Sequence, residues 1–207
     1  ALNYDVNDDK LETYIMPARP NVDEGVEREK YVEIREAIIE SKKIRVSYFS
    51  LSSGIKERIL LPYGIYTYQG FWYIVAYCEL SKAIKDFKLV RVREWEVLND
   101  TFKKPKHFSL RDYFSGCIGL IKDEDSYEVR LKIDFPTSIK VSERNWVENQ
   151  IITFNDDNSI IFEAVMTGMD DIVHWVLSLG SAAEVLEPVI LRERVREEVE
   201  KVLNRNG

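Results

Sequence analysis

The run Leu61 to Arg93, LPYGIYTYQGFWYIVAYCELSKAIKDFKLVRVR, constrains the fold more than any other stretch of this chain. In FWYIVAYC, strand periodicity puts Trp72, Ile74, Ala76 and Cys78 on one face, with Phe71, Tyr73, Val75 and Tyr77 on the other. Both faces are bulky and mostly apolar. That pattern fits a strand of a small barrel better than a strand of an open sheet with one wet face. A Pro62-Tyr63-Gly64 corner precedes the run, and the pair Gln69-Gly70 separates its two aromatic strands. A third strand is expected to carry bases at Lys85, Lys88, Arg91 and Arg93. From Lys82 to Arg93 there are five Lys/Arg and one acid, Asp86, so bases and aromatic rings together suit an anionic, flat ligand.

Charge is distributed in the same sense. The whole chain is acidic, with a formal net charge of -7, which argues against a surface generally dressed for nucleic acid. Residues 41–106 nevertheless carry 13 Lys/Arg against 6 Asp/Glu. The segment with the aromatic strands is thus the basic part of an acidic protein. A hydrophobic fraction of 45% in 207 residues is ample for one or two cores. No run of about 18 apolar residues and no basic-then-apolar leader is seen, so a cytoplasmic location away from membranes is expected. Cys78 and Cys117 lie far apart and outside metal-ligand spacing, and are expected as reduced thiols.

The order and spacing of several residues resemble the WYL domain of bacterial transcriptional regulators. They are Arg58 four residues before Pro62, Trp72-Tyr73-Ile74 with Tyr77, and Phe87-Lys88-Leu89-Val90-Arg91-Val92. The chain departs from the family pattern at Ile74, Lys88, Val90 and Val92. Lys88 keeps a positive charge but loses the planar fork of an arginine, and Val90 stands where the family has an acid. The resemblance implies an Sm-like small β-barrel used as a sensor of nucleotides or single-stranded nucleic acid. Trp175 to Gly180 and Val185 to Pro188 resemble the C-terminal extension, called WCX, that follows many WYL domains. Together the two resemblances cover roughly residues 28 to 205.

In chain order, 1–27 reads as a short hairpin and linker, with strands ALNYDV and LETYIM around Asn7-Asp8-Asp9. It resembles the wing that closes a winged helix-turn-helix; an ordinary hairpin or frayed arm reads equally well. With no initiator Met and no recognition helix, a chain lacking most of its DNA-reading module is expected. Residues 28–100 form the sensor domain. A helix over Val26–Ser41 carries Tyr31, Ile34 and Ile38 inward, and Ile44–Leu51 and Ile55–Leu61 form a hairpin around Ser52-Ser53-Gly54. Residues 101–126 are a linker containing Lys103-Lys104-Pro105-Lys106. Residues 127–207 read as a ferredoxin-like domain in the order β-α-β-β-α-β plus a final helix. It has a helix at Thr137–Trp146, a hairpin around Asp156-Asp157-Asn158, a helix capped by Asp170 and stopped by Gly180, and a terminal helix over Leu191–Asn204. The fold class is α+β throughout.

The expected ligand site comprises Tyr48, Arg58, Tyr73, Tyr77, Lys88 and Arg91, with Trp72 in the core because Ile74, Ala76 and Cys78 share its face. On its strand Arg58 shares a face with Lys56 and Leu60, away from Glu57. The plainer alternative pairs Arg58 with Glu94 or Glu96 as a surface salt bridge of little consequence. Catalysis is not expected. His107 lies beside Lys106, His174 beside Trp175, and no nucleotide-cradling glycine loop, zinc spacing or nucleophile elbow occurs, although a triad assembled in space leaves no trace in spacing. The acidic runs Asp123-Glu124-Asp125 and Glu197-Glu198 read as solvated faces rather than metal sites, and no cofactor is expected. Three functions stay open. They are a ligand-sensing and dimerisation portion of a homodimeric regulator that reaches duplex DNA through its N-terminal module, an Sm-like module binding nucleic acid directly, and a purely structural dimerisation protein.

Overall fold

The computed structural model describes residues 23–123 and 125–207. The expected hairpin and most of its linker lie outside them. The chain divides into two units between Phe108 and Ser109. No helix among the described residues is long and apolar enough to cross a membrane.

The first unit opens with α1, Glu24–Ile39. Asp23 caps it, its carboxylate accepting from the Gly25 and Val26 amides at 2.9 and 3.1 Å. Ile34 and Ala37 are buried, with Tyr31 and Ile38 packed beside them. Lys30 is also buried, made tolerable by Glu27 at 2.8 Å and by the Trp95 ring 5.6 Å beneath its ammonium. Trp95 in turn donates its indole N–H to Glu33 at 2.7 Å, so a polar clamp joins the helix to the sheet.

Five strands follow: β1 (Lys42–Ser50), β2 (Gly54–Tyr68), β3 (Phe71–Cys78), β4 (Ala83–Lys88) and β5 (Val92–Thr101). Ile44, Val46 and Tyr48 alternate inward on β1 as expected. β2 does not stop at a corner. Its first half pairs with β1 and its second with β3, Leu60 facing both Ile44 and Cys78. Pro62 sits at a register shift between Pro62 and Gly64, where the ladder is already interrupted and a missing N–H is harmless. Gln69 and Gly70 both have positive φ, 48° and 79°, the requirement of a tight two-residue hairpin turn.

The expected third strand is broken. β4 ends at Lys88, and Leu89–Arg91 form a 3-10 turn that drives Leu89 fully into the core before β5 begins. The sheet order is β4-β3-β2-β1-β5, all antiparallel. β4 and β5 are therefore its edges, and no ladder joins them among the described residues. The closed barrel expected from the sequence is not closed by hydrogen bonds: the three-residue turn Leu89–Arg91 holds the two edges near each other, but no ladder pairs β4 with β5 among the described residues.

The second unit contains α2 (Leu110–Tyr113), β6 (Tyr127–Ile133), α3 (Thr137–Ser142), β7 (Ile151–Phe154), β8 (Ile160–Met166), α4 (Met169–Ser178), β9 (Ala183–Glu187) and α5 (Val189–Asn206). Its sheet order is β7-β8-β6-β9, again all antiparallel. Val129, Leu131 and Ile133 from β6, Ile160 and Phe162 from β8, and Ile172, Val173 and Val176 from α4 build one core. Complete burial of each such side chain contributes about 1.5–3 kcal/mol.

Two local expectations are corrected here. The helix after β6 ends at Ser142, not Trp146, because Trp146 is tied into the following loop. Its amide donates to Gln150 Oε1 at 2.6 Å and its indole to the Val141 carbonyl at 3.0 Å. Asp170 is not the cap of α4. Gly168, at φ 86°, precedes the helix, and Asp123 Oδ2 accepts from the Met169 amide at 2.7 Å. Asp123, expected to be a solvated charge, thus caps a helix N-terminus from 46 residues away. Asp170 pairs instead with Arg194 of α5 at 2.5 Å.

Candidate ligand site

Strand register decides which way Arg58 points. Val46 faces Arg58 across the β1–β2 ladder, so Arg58 lies on the inward side with Val46, Tyr48 and Leu60. Arg45, one residue out of phase, lies on the outer side, where its guanidinium takes both Glu96 and Glu57. Of the two carboxylates offered above as partners for Arg58, Glu96 is taken by Arg45, and Arg58 pairs with neither it nor Glu94 among the described residues. Its guanidinium lies 5.9 Å from the Tyr48 ring and 6.0 Å from the Phe87 ring, which meet edge to face at 5.1 Å. Nη1 donates to Cys78 Sγ at 3.8 Å, and Nε is buried with no hydrogen-bond partner.

This guanidinium borders a cavity of about 360 Å³. Tyr48, Arg58, Lys85, Asp86, Phe87 and Arg91 line it together with Ser50, Leu51, Ser52 and Ser53 of the β1–β2 hairpin. Three of the six expected site residues, Tyr48, Arg58 and Arg91, thus meet. Lys85, Phe87 and the serine-rich hairpin were missed. Lys85 was already marked as one of the bases of that stretch and Phe87 as part of the motif, and the hairpin's run of hydroxyls beside Gly54 was its own signal, with Ser50 and Ser52 Oγ 3.1 Å apart. Tyr48 contributes mainly rigidity, being buried with its hydroxyl accepting from the Lys88 amide at 3.2 Å. Asp86 brings a negative charge to the same wall, where its carboxylate accepts from Tyr66 Oη at 2.8 Å.

The other three expected residues are placed elsewhere. Lys88 does not line the cavity; its ammonium sits 3.2 Å over the Phe71 ring and 5.7 Å from that of Tyr73. Burial, with the nearby charge of Arg91, holds its pKa below the ordinary lysine value. Tyr73 is buried and stacked on Tyr66, rings 5.2 Å apart and 16° from parallel. Burial raises its hydroxyl pKa, a shift that Arg91 opposes. Arg91 is the link between this aromatic patch and the cavity. Tyr77 is half-buried on β3 near Tyr63 and takes no part in either. Trp72 packs against Tyr31 of α1 at 4.5 Å, on the core side.

A cavity of this kind suits one class of ligand. Three cations, Arg58, Lys85 and Arg91, and a stripe of hydroxyls line the space with one carboxylate, Asp86, beside the buried rings of Tyr48 and Phe87. An anion with a flat apolar part can satisfy the cations, the hydroxyls and the rings: charge-assisted contacts to phosphate are worth about 1.5–3 kcal/mol each.

Residues 29–97 match the family model described as WYL domain, and residues 125–203 match the WCX domain. Over 183 residues the chain is 26% identical to YobV of Bacillus subtilis (strain 168), an uncharacterized HTH-type transcriptional regulator. The alignment covers 86% of this chain and 55% of the relative, so the chain spans about half that protein's length. Among solved structures, a CRISPR Cas-related protein aligns over 87% of this chain and 54% of its own, at 14% identity and a TM-score of 0.56. The proteasome accessory factor B/C of Arthrobacter aurescens aligns over 91% of this chain and 29% of its own, at 22% identity and a TM-score of 0.41.

Proposed function

The chain is a WYL-domain protein that carries a WCX domain after it, and on that premise we propose that it is the ligand-sensing and dimerisation portion of a transcriptional regulator. The effector is a nucleotide or a short single strand held at the Arg58 cavity. The observation that carries this reading is a half-buried arginine without a carboxylate partner at the wall of a 360 Å³ cavity. The strand order of the first sheet supports reading it as an Sm-like barrel opened between β4 and β5. The order β7-β8-β6-β9 with its two crossing helices supports a ferredoxin-like second unit. Regulation of duplex DNA passes through an N-terminal module, the symmetric dimer matching a two-fold operator. No catalytic role is assigned to the chain, which should leave nucleotides intact.

A fluorescence titration with 5′-fluorescein octathymidylate and with AMP tests the reading. Saturable binding that weakens with salt is expected, the oligonucleotide slope being about -0.7 per neutralised phosphate. No binding of either probe at millimolar concentration contradicts it. Light scattering should give about twice the 24.3 kDa chain mass at high micromolar concentration; a strict monomer argues against the dimer.

One observation favours direct strand binding as a second reading. The half-buried rings of Phe71 and Tyr66, backed by buried Tyr73, lie with Lys88 beside the cavity, and an exposed ring edge or face there can stack a base at roughly 1–3 kcal/mol. Under this reading octathymidylate binds and AMP does not.

A further inference from the structure

Cys78 touches Arg58 but is not among the residues that line the cavity. The β2–β3 register places Cys78 opposite Leu60, and Arg58 is two residues from Leu60 on the same strand face. The two side chains are therefore diagonal neighbours across the ladder, within reach of each other. The Sγ–Nη1 contact of 3.8 Å follows from that register. Cys78 is wholly buried and does not itself line the cavity. Among the described residues its sulfur is the one hydrogen-bond acceptor that the Arg58 guanidinium meets.

We propose that Cys78 is the positioning residue for Arg58, its sulfur holding the guanidinium between Tyr48 and Phe87 so that the charge is presented to the cavity. The inference rests on the reading of the cavity as a site for a phosphate-bearing ligand. A long, flexible cation with no acceptor samples many rotamers, and ordering it on binding costs affinity. A fixed acceptor beside it removes part of that cost before the ligand arrives. Sulfur is suited to the position because it is compact and apolar enough for a core, yet a weak acceptor that does not neutralise the arginine as a carboxylate would.

The surroundings of the thiol agree with this arrangement. Burial alone would push its pKa up, but hydrogen-bond donors around the sulfur, the Arg58 guanidinium at 3.8 Å among them, pull it below the ordinary range.

The test is a double-mutant cycle read with 5′-fluorescein octathymidylate on the full chain. Cys78→Ala, which removes the acceptor, should weaken binding three- to tenfold. Cys78→Ser, which restores an acceptor, should stay within twofold of wild type. In an Arg58→Ala background, Cys78→Ala should change affinity less than twofold, because its effect runs through that arginine. Cys78→Val, which fills the space without an acceptor, replaces the alanine variant if the latter fails to fold by near-UV circular dichroism, and should show the same loss. Equal binding by wild type and the folded acceptor-free variant, while Arg58→Ala binds weakly, overturns this inference alone. Equal losses for the serine and acceptor-free variants, or additive losses in the cycle, also overturn it, since they mark a merely structural cysteine. If Arg58→Ala binds as wild type does, the functional reading falls as well.

Discussion

Arg58→Ala is expected to weaken binding of a phosphate-bearing ligand by tenfold or more while leaving the fold intact. The loss of one charge-assisted contact is worth about 1.5–3 kcal/mol, and each 1.4 kcal/mol is a factor of about ten. Stability should hold because opposing changes nearly cancel. The variant gives up cation–ring contacts with Tyr48 and Phe87, about 0.5–1 kcal/mol each. It also removes a buried Nε that has no partner, which relieves a desolvation cost of similar size. Arg91→Ala should weaken binding in the same direction. Unfolding of Arg58→Ala would show instead that the arginine is a structural member of the core.

The largest expected effect on stability lies in the second unit, at Gly168. A Cβ there would stand 2.1 Å from the Ile121 carbonyl oxygen, and the residue holds φ at 86°. Neither side can retreat easily. The Ile121 amide donates to Asp171 Oδ2 at 2.7 Å, and the neighbouring Met169 amide is capped by Asp123. Gly168→Ala should therefore cost roughly 3–4 kcal/mol, from backbone strain of about 1–3 kcal/mol plus the displacement of the 119–123 loop. For a unit of this size that lowers its melting temperature by about 12–32 °C. Gly180→Ala is the control, since Gly180 also has positive φ, 65°, but open space at its Cβ. It should cost only about 1 kcal/mol. Equal losses at the two positions would show that the Ile121 contact contributes nothing.

Much of this fold is legible in residue order. The strand FWYIVAYC occupies the expected residues, and the inward alternation of Ile44, Val46 and Tyr48 fixes the face on which Arg58 lies. The broken third strand was also open to inference. Lys85, Lys88 and Arg91 recur every three residues, and side chains three apart cannot share a face of a strand whose period is two. The turn at Leu89–Arg91 is what carries Arg91 to the cavity while leaving Lys88 over Phe71. Other features depend on partners distant in sequence. That Arg45 takes Glu57 and Glu96, leaving Arg58 unpaired, requires the pairing of β5 with β1. Asp123 capping α4 is of the same kind: a local rule pointed to Asp170, and tertiary structure supplied a carboxylate from another loop. Tyr77 shares its strand face with Tyr73, but shared phase does not place two residues in one pocket when they are four positions apart.

The central claim is that the ligand sits between the β1–β2 hairpin and the turn after β4. An amide-resolved NMR titration with AMP and with octathymidylate measures that directly. The account predicts saturable shifts at Ser50–Ser53, Arg58 and Lys85–Arg91, with β7, β8 and α4 unmoved. Shifts confined to the second unit, or spread over both without saturation, would contradict it.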